Sequence, residues 1–228
     1  MKKQWIRRVT TAALIAAAIE GAAVLMTASA FAAVAEPAAT AEVGSAPVVY
    51  VPANTKVAVL PVINASGEKD RKQRIDQVSV GNKELAKQFR QRGFLLTDAS
   101  VIAQAIADQK IDLNDEENWN RANLYRIGEA AGADLIAFVV IDNVDQKRHG
   151  QVGSDKNDEL ASRANIKIWL LDVKSHHAIL SAVHQEAQAK NPIFADFDSG
   201  SRLIRKSVEG AIRDVLKDFL RTYPNVAK

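Results

Sequence analysis

A chain of 228 residues, 47% apolar and 25% charged, has room for one good-sized domain with extra segments, or for two small ones. It holds no cysteine, which excludes disulfides, thiolate metal sites, cysteine catalysis and acylation of an N-terminal cysteine. The formal charge of +3, from 30 basic and 27 acidic groups, gives no electrostatic case for a nucleic-acid partner.

Lys2, Lys3, Arg7 and Arg8 precede an Ala-rich apolar stretch running from Val9 to Ala35. Ala28-Ser29-Ala30 and Ala30-Phe31-Ala32 have the small-residue form that precedes signal cleavage, so residues 1–32 read as a secretory signal peptide. Glu20 disturbs that stretch. The competing reading is an uncleaved anchor, since the stretch is long enough to span a bilayer. A mid-span charge costs about 3 kcal/mol on insertion scales and Ala offsets little of it, which favours cleavage. Setting residues 1–32 aside takes four basic groups from 30 and one acid from 27, leaving 26 of each sign. The basic excess belongs to the targeting segment. The mature chain is expected to be periplasmic or extracellular, without stable membrane insertion.

Residues 33–54 are rich in Ala and Pro and read as a flexible linker, with Val48–Val51 able at most to add an edge strand between Pro47 and Pro52. Residues 55–228 read as a single α/β domain. Lys56 to Asn64 forms its first strand, which leaves the sheet at Pro61 for want of an amide proton. Asn64 to Gly67 is a turn and Glu68 to Arg74 an exposed charged stretch. A helix follows with Val78, Leu85 and Phe89 inward and Gly93 as its stop. Phe94 to Thr97 is a short strand, and Asp98 is expected to cap a helix carrying Val101, Ile102, Ala105 and Ile106.

Residues 110–120 are acidic, and Asn118 or Asn120 caps the next helix, in which Leu124, Ile127 and Ala131 recur at helical spacing. Gly132 ends it, and Leu135 to Ile141 follow as seven unbroken apolar residues. Such a run between Asp134 and Asp142 predicts a strand covered on both faces, hence helices above and below a sheet. Residues 146–159 read as a long polar loop. Alternation from Ala164 to Leu170 predicts a half-buried strand, Asp172 to His177 a turn, and Ile179 to Glu186 the returning strand. Asn191-Pro192 is a break, and a final helix carries Ile204, Val208, Ala211, Ile212, Val215, Phe219 and Leu220 as its apolar stripe. The order predicts a layered sandwich with a mixed sheet of about five strands and helices on both faces.

Signals for chemistry are few, and no catalytic, cofactor-binding or metal-binding residue is assigned. His176, His177 and His184 could approach one another across the hairpin, but no HExxH or equivalent spacing accompanies them, and an exposed turn accounts for them. Ser66 follows the first strand, where α/β folds often bind ligands, yet it lacks a phosphate loop or a nucleophile elbow around it. The carboxylates from Asp112 to Glu117 lack the glycine and the periodicity of a calcium loop. Trp169, opposite the apolar face of its strand, is expected under a helix. The loops at 64–74 and 146–159 are the candidate binding sites.

Three segments carry a resemblance. Val57-Ala-Val-Leu-Pro-Val-Ile-Asn64, Gly128-Glu-Ala-Ala-Gly-Ala-Asp134 and Trp169-Leu-Leu-Asp-Val173 resemble motifs of the TolB N-terminal-like, CsgG-like and LpoB-like group of bacterial cell-envelope domains. The similarity spans about residues 56–220. Ser175-His176-His177 stands where a Thr-Gly turn is usual in that group, and the chain lacks the cysteine on which its lipoproteins are acylated. The resemblance implies a TolB N-terminal-like sandwich in a non-enzymatic protein-interaction module whose partner is another envelope protein. It brings no catalytic residues and no cofactor. The alternative is a small secreted ligand-binding protein or hydrolase using the loop after the first strand. Neither composition nor pattern carries a signal of oligomeric state.

Overall fold

Leu135 to Ile141 run through the middle of the sheet, and all seven side chains are sealed from solvent. The computed structural model describes residues 49–149, 159–192 and 199–223. In chain order the elements are β1 (Lys56–Val59), β2 (Ile63–Asn64), α1 (Arg71–Arg90), β3 (Leu95–Leu96), α2 (Ala99–Gln109), α3 (Arg121–Ala130), β4 (Leu135–His149), β5 (Glu159–Asp172), β6 (His177–Pro192) and α4 (Ser199–Arg221). The sheet order is β3-β1-β4-β5-β6, with β2 also pairing β4. Pairs among β1, β2, β3 and β4 are parallel, and β4, β5 and β6 are antiparallel. The fold is the expected layered α/β sandwich with a mixed sheet.

Alternation along β4 supplies two cores. Leu135, Ala137, Val139 and Ile141 meet Leu85 and Phe89 of α1 and Val208, Ile212 and Leu216 of α4. Ile136, Phe138 and Val140 face the other way, onto Ile102 of α2, Leu124 and Ile127 of α3, and Trp169. Burying each such side chain is worth about 1.5–3 kcal/mol, so a strand buried on both faces contributes twice the core of a one-sided one. Trp169 is 5% exposed and packs 5.3 Å from the Phe138 ring, as its position in the sequence predicts.

The sixth strand corrects the reading of Pro61. The Leu60 amide donates to the Ala137 carbonyl at 2.9 Å, and Pro61 has no proton to continue the ladder. The Val62 amide turns instead to Asn82 Oδ1 on α1, at 2.9 Å. Ile63 and Asn64 then rejoin β4 opposite Val140 and Ile141. The chain steps out of the sheet and back rather than leaving it. The charged stretch at 68–74 is likewise shorter than its composition implies, because Asp70 Oδ1 accepts the amides of Lys72 and Gln73 and starts α1 at Arg71. Its inner face also differs: Gln77, Gly81, Glu84, Leu85, Gln88 and Phe89 are buried, and Val78 is not.

The loop expected at 146–159 is partly strand. Gln146 to His149 continue β4 and pair with β5 from Glu159 onward, while residues 150–158 lie outside the described residues. A register shift at Asp142 divides β4, and beyond it the α4 side is lined by Val144 and Gln146. Gln146 Nε2 donates to the Gly200 carbonyl at 2.7 Å. With only one face covered, and that one partly by a polar contact, the strand shows no apolar run.

Gly132, at φ 62°, ends the helical stretch in the left-handed region that favours glycine. Two residues later Asp134 ties three elements together. Its Oδ2 accepts the Lys56 amide at 2.7 Å, and its Oδ1 pairs with Lys174 Nζ at 2.6 Å in the β5–β6 turn. Burial pushes this carboxyl up, but the bonds from Lys174 and Lys56 and their two charges outweigh burial and hold it below the usual carboxylate value. In that turn His176, at φ 53°, takes the position where glycine is usual. Ahead of β1, Val49 to Val51 form no strand, and Pro52–Asn54 is a single 3-10 turn. Tyr50 is nonetheless held, its hydroxyl donating to Asp172 Oδ2 at 2.7 Å and its amide to the Tyr223 hydroxyl at 3.2 Å.

Candidate functional site

Of the two loops that the sequence singles out, the one at 64–74 adjoins a groove, and residues 150–158 of the other lie outside the described residues. Asn64 closes the turn after β2: its Oδ1 accepts the Ser66 amide at 3.0 Å and the Ser66 hydroxyl at 2.6 Å. That hydroxyl also accepts from the Glu68 amide at 3.3 Å. Ser66 is thereby committed to an Asx turn, and no base approaches it among the described residues.

Next to this turn a groove follows one flank of α1. Its first part, of about 700 Å³, is lined by Asn64, Arg71, Arg74, Ile75, Val78 and Lys83, among others. Its second part, of about 630 Å³, lies between α1, β3 and the start of α2, with Pro61, Arg90, Leu95, Leu96, Thr97 and Asp98 in its wall. Asn82 lines both parts, and the bond it accepts from Val62 holds the β1–β2 step against the helix. The second part opens at the carboxyl ends of β1 and β3, the end at which parallel sheets commonly present their ligand-binding loops.

Helix geometry builds the lining. Residues 71, 74, 75, 78, 79, 82 and 83 follow the i, i+3, i+4 rule, which places them on one stripe of α1 flanking the buried face formed by Gln77, Gly81, Glu84 and Gln88. Ile75 is 59% exposed and Leu95 46%, both high for large apolar side chains. Arg71, Arg74, Lys83 and Arg90 are exposed and, among the described residues, have no carboxylate within ion-pair distance. Asp98 is the acid in the wall, and its side chain does not cap α2. The groove therefore offers cations and apolar contacts along an open surface. It is suited to binding an anionic or amphipathic ligand, and it holds no nucleophile paired with a base.

The other candidates separate. His176 Nε2 lies 2.8 Å from Glu129 Oε1, and its ring stacks on Tyr125 at 4.7 Å. His184 is 3.6 Å from Asp142, which also pairs with Lys167 at 3.3 Å. Among the described residues no three His, Asp or Glu side chains gather as a metal site would require. Trp119 donates its indole proton to the Leu113 carbonyl at 2.7 Å and fastens the acidic loop to the core. Asp112 in that loop accepts the Asn114 backbone amide and side chain, which lowers its carboxyl from the usual value. The open face of the β4–β5–β6 extension carries Asp142, Arg163, Lys167, His184 and Glu186, with Arg163 and Glu186 paired at 3.1 Å. Periodicity in the sequence assigns Val78 to the inner face and does not single out the α1 stripe, although Ile75 and Val78 between Arg74 and Lys83 are its visible apolar signal.

No family model matches this chain, and no curated protein does. It is similar to several solved structures. The lipoprotein GNA1162 from Neisseria meningitidis is 11% identical, with 70% of this chain and 99% of that one covered and a TM-score of 0.42. The hypothetical protein CT253 from Chlamydia trachomatis is 12% identical, with 72% and 95% covered and a TM-score of 0.43. The C-terminal domain of LpoB from Salmonella enterica is 14% identical, with 61% and 84% covered and a TM-score of 0.38. Bacterial lipoproteins, LpoB among them, thus stand among the structures this chain resembles, at low sequence identity. Among the described residues no helix is long and apolar enough to cross a membrane.

Proposed function

We propose that this chain is an exported protein of the bacterial cell envelope that acts without catalysis, through contact with another envelope protein. The groove beside α1 carries this reading. A surface that leaves four cations without an ion-pair partner among the described residues, with Ile75 and Leu95 exposed beside them, has side chains for holding a partner and none arranged to move a proton or attack a bond. The motif resemblance and the signal-like residues 1–32 support the envelope address, with residues 33–54 as the linker to the domain at 55–228.

Affinity capture of the mature protein from a native envelope extract, read by mass spectrometry, tests the proposal. One or a few envelope proteins should be enriched over a control bait. If none is enriched, while a small molecule co-purifies and raises the melting temperature, the protein is a ligand-binding or hydrolytic one working beside Asn64. N-terminal sequencing of the native protein should find a first residue between Phe31 and Ala33. An intact Met1 in a membrane fraction would show that Glu20 lies in an anchor.

A further inference from the structure

We propose that the groove beside α1 takes an acidic, extended segment of the partner protein, bound along the helix and against the outer edge of β3. This rests on the contact reading above and adds to it the surface and the chemistry of what binds there.

Charge is the first argument. Some exposed cations elsewhere are paired with a carboxylate, as in Lys174 with Asp134, Arg163 with Glu186 and Arg205 with Asp76, but the four in the groove are not. Arg71, Arg74, Lys83 and Arg90 share one groove with Asp98 as its acid, an unbalanced charge of three that a carboxylate-bearing ligand would offset.

Backbone geometry is the second. The Leu95 and Thr97 amides donate to the carbonyls of Thr55, just before β1, and Val57, within it, at 3.1 and 3.0 Å. The residue between them, Leu96, therefore turns its amide and carbonyl to the open side of the sheet, where it lines the groove. β3 ends the sheet order, so an added strand has a ladder position to occupy. The Thr97 hydroxyl, shielded from solvent and without a hydrogen-bond partner, lies at the same rim.

Length is the third. At 1.5 Å per residue, Arg71 to Arg90 spans about 28 Å, which eight or nine extended residues cover at about 3.3 Å each. Arg74 and Lys83 are about 13 Å apart along the axis, a distance matched by carboxylates four residues apart in an extended peptide. An even spacing puts both carboxylates on the same side of that peptide, facing the α1 stripe.

The test uses the mature chain and a fluorescein-labelled decapeptide of Ala, Val and Thr with two glutamates four positions apart, beside the same peptide with glutamines. Anisotropy should show the glutamate peptide binding at least about tenfold more tightly, with affinity falling as salt rises. Arg74→Glu with Lys83→Glu should weaken it by about tenfold or more, as should the milder Arg74→Gln with Lys83→Gln in smaller measure, at unchanged melting temperature. Equal binding of the two peptides, or undiminished binding by the reversed variant, overturns the proposal. So does charge-dependent binding of phosphatidylglycerol vesicles with no binding of the peptide. Capture from envelope extract with both baits separates the two levels. A partner held equally by wild type and reversed variant leaves the contact reading standing and removes the groove. A partner held by neither removes both.

Discussion

Replacing Gly128 by alanine would press the helix of the Gly-Ala-Asp segment against the β5–β6 turn. A Cβ there would stand 2.6 Å from Val173 Cγ2 and 3.4 Å from Val173 Cγ1. Carbon atoms settle at about 3.5–4.0 Å, so one of the two elements must move. Val173 is poorly able to do so: it is 4% exposed, β-branched, and held by its amide to the Asp134 carbonyl at 2.9 Å. Overpacking of this kind costs about 1–3 kcal/mol, whereas alanine's better helix propensity returns about 0.8–1.0. At mid-range the clash wins by about 1 kcal/mol, which lowers the melting temperature by about 2–4 °C in a domain of this size. Urea and thermal unfolding of Gly128→Ala, with and without Val173→Ala, measure it. In the Val173→Ala background the added methyl should cost nothing or stabilise slightly. Unchanged stability of the single variant, or the same loss in both backgrounds, would refute the close-approach argument.

Tyr50→Phe should cost about 1.5 kcal/mol in urea unfolding, the lower range for a hydrogen bond to a carboxylate, since Asp172 is 5% exposed and loses one of its donors. Burial first, and the Asp172 carboxylate beside it, raise the Tyr50 hydroxyl above the usual value. The stability it contributes is therefore present below about pH 10 and lost as pH rises above that, so the wild type should weaken there by a component missing from Tyr50→Phe. Asp134 is shifted the other way, so its contribution is present above about pH 4 and lost as pH falls; the acid limb of a melting-temperature profile should flatten in Asp134→Asn. Ala182→Gly should stabilise by up to about 1 kcal/mol in thermal melts, because Ala182 sits at φ 52° in the β6 bulge, where alanine is strained and glycine is not.

How much could be read in advance depended on how many faces of an element are buried. Leu135 to Ile141 announced themselves because both faces are covered, and the two-layer architecture followed from that one run. The ends of β4 and β5 were hidden because one face meets solvent and the other meets α4 through Gln146 and the buried Ser162–Ser207 pair, 3.2 Å apart. On α1 the periodicity pointed to Val78, whereas the helix buries Gln77, Gly81 and Glu84 instead. Gly81 allows Val62 to within 3.1 Å of where a Cβ would stand, and Glu84 is kept charged-side inward by Gln88 at 2.6 Å and Lys87 at 3.0 Å. Leu85 and Phe89 share the inner face with these polar and small residues, and Ile75 and Val78 stand beside it, so the apolar periodicity of α1 does not mark where the groove begins. The Pro61 step needed knowledge of Asn82, twenty residues beyond Val62.

The attachment of Tyr50 decides where a mechanical load enters the domain. Tension on the chain at Val49 would pass first into Asp172 at the end of β5 and Tyr223 beyond α4, residues 122 and 173 positions away in sequence. Lys56, the first residue of β1, is fastened separately to Asp134. To peel β1 from the sheet, a pull must release both fastenings in succession, so the strand that begins the fold is shielded from forces arriving through the segment before it.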